Sequence, residues 1–71
     1  MPPLPTLTGK ELIGILEKRG FGLAHVRGSH HIMKHPSGNR VAVPVHGQRA
    51  IPTGTLKGIM RQAGLTVHDL V

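Results

Sequence analysis

Cysteine is absent from the 71 residues. That removes disulfides, thiolate zinc sites and cysteine nucleophiles together, and it fits a reducing cytoplasm better than a stapled secreted mini-protein. Tryptophan and tyrosine are absent too, and phenylalanine occurs once, as Phe21. Base stacking on aromatic platforms, as RRM and OB domains use it, therefore has no material here. Acids are scarce: Glu11, Glu17 and Asp69 are the only three. Paired-carboxylate catalysis and carboxylate cages for hard cations are excluded on that count. No apolar run approaches the roughly 20 residues of a membrane-spanning helix. The Pro-rich opening, Met1-Pro2-Pro3-Leu4-Pro5, lacks the continuous apolar stretch of a signal peptide.

What is present is positive charge. Nine Lys and Arg against the three acids give a net charge of +6, with six histidines besides. On so small a body this favours polyanionic partners: nucleic acid, an anionic membrane or an acidic protein. The length allows one domain with a thin core. If the chain catalyses a reaction, histidine must carry it.

Residues 1–7 read as an extended arm, because three prolines block helix and ladder alike. From residue 8 to 71 the chain reads as one domain. Thr8 and Glu11 have capping-box spacing, Leu7 and Leu12 staple spacing, and Leu12, Ile13, Ile15 and Leu16 form one apolar face. The first helix is expected over 9–19, ended by Gly20. Three strands are expected at 21–27, 30–35 and 40–46. In the first, Phe21, Leu23 and His25 should alternate against Gly22, Ala24 and Val26. Gly28-Ser29 and Pro36-Ser37-Gly38-Asn39 are the turns. Pro44 cannot donate to a ladder, so the third strand lies at an edge or ends nearby. Thr53 is expected to cap a second helix carrying Leu56, Ile59, Met60 and Ala63, with Gly64 as its stop. Thr66 and Asp69 could cap a short last turn. The fold class is therefore α+β, in the order α-β-β-β-α, with an antiparallel sheet, both helices on one face and a small extra C-terminal helix.

Three fragments carry a resemblance: Leu16-Glu17-Lys18-Arg19-Gly20-Phe21, Gly28-Ser29-His30-His31-Ile32, and Val43-Pro44-Val45-His46-Gly47 followed by Gly54-Thr55-Leu56 and Ile59 through Leu65. In this order and spacing the chain resembles the HicA toxin family, also called YcfA-like, over nearly its whole length from Thr8. The resemblance implies a fold like the double-stranded RNA-binding domain. It implies an mRNA interferase of a toxin–antitoxin pair, neutralised by an acidic HicB-type antitoxin, with His30 as the catalytic histidine beside the motif glycine Gly28. The chain departs from the family in its arm before Thr8 and at Ala50-Ile51-Pro52-Thr53-Gly54, where many members carry a charged residue and a Pro-Gly pair.

The residues support that chemistry by themselves. RNA cleaves when its 2′-OH is deprotonated and the leaving 5′-oxygen is protonated, and histidine titrates in the range where it can do both. No metal or cofactor is required. His30 opens a strand beside a tight turn; Gly28 would permit close backbone approach, Ser29 could orient the ring or bond phosphate, and Arg27 and Lys34 flank the site in sequence. His46 is a possible helper, with a bond to loop backbone as its ordinary alternative. His31 alternates to the other face, where packing explains it. Lys57 and Arg61, at i and i+4, could follow a phosphate backbone, and the amides of Thr53 to Thr55 offer a further anion site. A histidine metal site from His30, His31, His35 and His46 fits less well, because adjacent strand residues face apart and catalytic zinc needs three converging ligands. Three functions stay open: a metal-independent endoribonuclease, a non-catalytic module binding double-stranded RNA, and a basic domain that docks an acidic protein. None needs a membrane or a small-molecule cofactor.

Overall fold

The computed structural model describes residues 4–70; the expectations for Met1 to Pro3 and for Val71 lie outside them. The elements run α1 (Gly9–Lys18), β1 (Gly22–Arg27), β2 (His30–Lys34), β3 (Arg40–Pro44), α2 (Thr53–Ala63) and a 3-10 turn (Val67–Leu70). The expected α-β-β-β-α order is present.

Local chemistry sets most boundaries. The Thr8 hydroxyl accepts from the Glu11 amide at 3.3 Å, and the Glu11 carboxylate accepts from the Thr8 amide at 2.9 Å. This complete capping box starts α1. At the other end Gly20 takes φ 94°. The Gly20 amide donates to the Glu17 carbonyl and the Phe21 amide to that of Leu16. That is a Schellman closure, and its apolar pair, Leu16 and Phe21, is buried in the core. α1 therefore stops at Lys18, one residue short of the expected end, and Phe21 belongs to the helix closure rather than to β1. Thr66 and Asp69 behave as their spacing suggests: the Thr66 amide donates to the Asp69 carboxylate at 2.7 Å.

The second helix begins differently from expectation. Pro52, not Thr53, is the N-cap; its backbone is extended (φ −56°, ψ 143°) and no side chain caps the helix. The Pro52 carbonyl accepts from the Leu56 amide, so Thr53 is already helical and its hydroxyl does not cap. The amides of the first turn of α2 are left to other partners.

The sheet is antiparallel, in the order β1-β2-β3. β3 ends at Pro44 rather than His46; Pro44 stands opposite His30 at a position whose amide would face the outer edge of the sheet, so the proline is tolerated there. Met33, Val41 and Val43 point to the helices and are buried, together with Leu12, Leu16, Leu56 and Ile59. The opposite face, with His30, Ile32, Lys34, Arg40 and Ala42 at alternate positions, carries no helix. Both helices lie mainly over β3. The end of the segment before α1 packs on the body: Leu7 is buried, and its carbonyl accepts from the Ile51 amide.

In β1 the expected alternation fails. The register shifts between Leu23 and His25, with Leu23 opposite Met33 but Val26 opposite His31. This bulge at Ala24 turns Leu23 and Val26 to the same, helix-side face and sends His25 and Arg27 to the open face. The helix layer does not reach that far, and Leu23 and Val26 remain 54% and 48% exposed.

Candidate active site

The geometry of the β1–β2 turn decides where His30 stands. Gly28 has φ 58° while Ser29 keeps a negative φ, the pattern of a two-residue hairpin with glycine first. Nothing lies within 4 Å of the position of a Gly28 Cβ. Within the protein its role is therefore the positive φ. The turn makes Arg27 and His30 ladder partners, and His30 in turn lies opposite Pro44. The amide of Val45 donates to the carbonyl of Ser29 at 2.7 Å. That bond ties the hairpin tip to the segment leaving β3. His46 follows, and a turn through Gly47 (φ 58°) closes with the Arg49 amide on the His46 carbonyl at 3.0 Å.

These bends enclose a cleft of about 250 Å³ lined by His30, Pro44, His46, Arg49, Ala50, Ile51, Pro52 and Thr55. Two imidazoles, one from β2 and one from the segment after β3, a guanidinium and the uncapped start of α2 thus share one opening. The imidazoles of His30 and His46 are exposed, and neither has a side-chain hydrogen-bond partner among the described residues. Gly9 brings the helix side of the wall into place: a Cβ there would lie 2.3 Å from the Pro44 carbonyl oxygen and 2.9 Å from Val45. Only glycine lets the first turn of α1 touch the end of β3 this closely.

Of the sequence-derived candidates, His30 and His46 come together in the cleft. Arg27 joins them as ladder partner on the open face, and Ser29 contributes its carbonyl to the frame. Lys34 lies on that face too, but at the far end of β2, about 13 Å along the strand from His30. Lys57 and Arg61 are exposed on α2 and lead away from the opening, with Arg61 in the last turn of the helix. His31 faces the helix side, half-buried, with Nδ1 enclosed and unpaired. Among the described residues no three His, Cys, Asp or Glu side chains converge as metal ligands. Arg49 is the charged cleft residue that sequence reasoning did not select, whereas Thr55 belongs to the anion site expected from the amides of Thr53 to Thr55. The signal for Arg49 was position: it lies in the segment between His46 and the first turn of α2, where free amides attract anions.

A second cleft, of about 200 Å³, lies at the other end of the sheet, lined by residues that include Arg19, Phe21, His35, Asn39 and Asp69. Its polar groups are already engaged. Arg19 pairs with Asp69, the His35 Nδ1 accepts from the Ser37 amide, and the Asn39 amide group donates to the Gln62 carbonyl. It offers a ligand far less than the His30 cleft does.

No helix among the described residues is long and apolar enough to cross a membrane. Among curated proteins, none matches the chain. A family model does: that of the HicA toxin of bacterial toxin–antitoxin systems, over residues 9–65. That span takes in α1, the whole sheet, the cleft and α2, and so the chain belongs to the HicA toxin family.

Proposed function

We propose that the protein is a metal-independent endoribonuclease that cleaves mRNA in the cytoplasm and so blocks translation, and that an acidic antitoxin of the HicB type restrains it. The observation that carries this reading is the single cleft holding His30, His46 and Arg49 at the open end of α2. In the proposed reaction the 2′-oxygen attacks the adjacent phosphorus. One imidazole takes the 2′-OH proton, and the other gives a proton to the departing 5′-oxygen. The products are a 2′,3′-cyclic phosphate and a 5′-hydroxyl. Arg49 neutralises the extra charge on the phosphorane, aided by the α2 amides, where a preorganised donor matters most. His30, bonded to Arg27 across the β1–β2 ladder and standing opposite Pro44, is the principal acid/base group, and His46, on the looser segment after β3, is its partner. Arg27 and Lys34 hold flanking phosphates. With no aromatic residue on the open face, broad sequence tolerance follows.

Single-stranded RNA incubated with the protein in EDTA should be cut, and RNA with 2′-O-methyl at every sugar should survive. His30→Ala should slow cleavage by about 10²–10⁴-fold, the usual worth of a positioned acid or base. A bell-shaped pH–rate profile that loses one limb in His46→Ala would assign the partner. Undiminished cleavage by His30→Ala removes His30 from the chemistry. Tight binding of RNA without cleavage favours the runner-up, a double-stranded RNA-binding module, to which the basic open face is equally suited.

A further inference from the structure

The sheet has two edges, and they are protected unequally. β3 ends in Pro44, and α1 closes on that end at the Gly9 contact. β1 has neither device: among the described residues nothing pairs with its outer edge. In a hairpin closed by two residues the pair flanking the turn, Arg27 and His30, bonds across the ladder. Antiparallel alternation then turns the amide and carbonyl of Val26 outward, away from β2. Beside that edge lie Leu23 and Val26, the exposed large hydrophobics of the described chain, brought to one face by the bulge at Ala24. His25 and Arg27 occupy the other face of the same strand. Natural sheets blunt an edge that has no use, so a bare edge with an apolar side is a template for strand addition.

We propose that β1 is a docking edge for an acidic, extended segment of a partner protein, added as a fourth strand. Its apolar side chains would cover Leu23 and Val26, and its acids would face His25 and Arg27. Charge selects this occupant over a second copy of the chain. Self-pairing would join two bodies of net charge +6 with only three acids each, and like charges opposed across strands repel. The site is separate from the His30 cleft, so it stands or falls independently of the nuclease reading. A segment seated on β1 ends at Arg27, next to His30, and can reach the cleft without filling it.

The test titrates a capped nonapeptide of alternating Glu and Val, and a matched Lys and Val peptide, into isotope-labelled protein followed by amide NMR. The acidic peptide should shift the amides of Gly22–Arg27 saturably and slow exchange of the Val26 amide; the basic peptide should do neither. Val26→Pro keeps the β1–β2 ladder, since its lost N–H faces outward, and should weaken binding about tenfold or more by removing that donor and crowding the added strand. Leu23→Thr and Val26→Thr keep strand propensity, remove the apolar side and should weaken binding severalfold. The proposal is overturned by no saturable shift, by equal binding of the basic peptide, by shifts centred on His30 and Arg49, or by unchanged binding to Val26→Pro. Sedimentation showing a dimer that Val26→Pro dissolves would overturn it in favour of a second copy.

Discussion

Gly28 and Gly9 are both glycines beside the cleft, yet they are required for different physical reasons. Gly28 needs its positive φ and has open space around it. Gly28→Ala should therefore cost only the backbone penalty, about 1–2 kcal/mol, seen as a lower urea midpoint at unchanged slope. Gly9 needs space, because the group its Cβ would strike is a backbone carbonyl that cannot rotate away. Gly9→Ala should cost about 1–3 kcal/mol as overpacking. It should also shift Val45 and His46, and so lower the cleavage rate at a temperature where the variant is still folded. Unfolding curves and single-turnover rates on the two variants separate these causes. The Gly28-Ser29-His30 run marked the first site in the sequence, because a tight turn is a local signal. The second was illegible, since residues 9 and 44 meet only after the sheet and α1 have packed. Arg49 was missed for the same reason: its neighbour across the cleft, His30, is distant in sequence.

At the scale of elements, the two helices contrast in how they begin. The capping box of α1 was readable from Thr8 and Glu11, and both reciprocal bonds are present. At α2 the same kind of reading chose Thr53 and met Pro52 instead, because proline's fixed φ already set the entry of the chain. An acceptor at that position would satisfy amides that now lack one. Pro52→Asp should raise the stability of α2 by about 1 kcal/mol, the usual worth of a cap plus its dipole. The same carboxylate would stand on the wall of the cleft, where the substrate phosphate is proposed to lie. Cleavage should therefore fall even as the melting temperature rises. A variant that is more stable and equally active would separate the start of α2 from the reaction. The bulge of β1 was beyond sequence reading altogether. It is defined by how many residues of β2 oppose it, and Gly22 to Arg27 alone read as plain alternation.

Across the whole molecule the excess of positive charge was plain from composition, but its distribution was not. The fold gathers six of the nine Lys and Arg on two surfaces. Arg27, Lys34, Arg40 and the cleft residue Arg49 lie along the open face or at its end, and Lys57 and Arg61 lie on the exposed side of α2. Each phosphate contact to single-stranded RNA contributes about −0.7 to the slope of log affinity against log salt. An RNA that crosses the sheet and enters the cleft meets the first four cations and should show a slope of about −3. An RNA that engages all nine Lys and Arg would show about −6. Between about 50 and 200 mM salt these slopes separate a loss of roughly 50-fold from one of several thousand-fold. The measurement needs RNA that binds without being cut, so fully 2′-O-methylated strands read by fluorescence anisotropy serve. Lys57→Gln combined with Arg61→Gln should leave the slope unchanged if the path runs over the sheet, and should reduce it by about 1.4 if the path follows α2. Lys34→Gln with Arg40→Gln gives the reciprocal outcome. The sheet path is expected because it places cations at both ends of the open face, Lys34 and Arg40 at the far end of β2 and Arg27 beside the imidazole of His30.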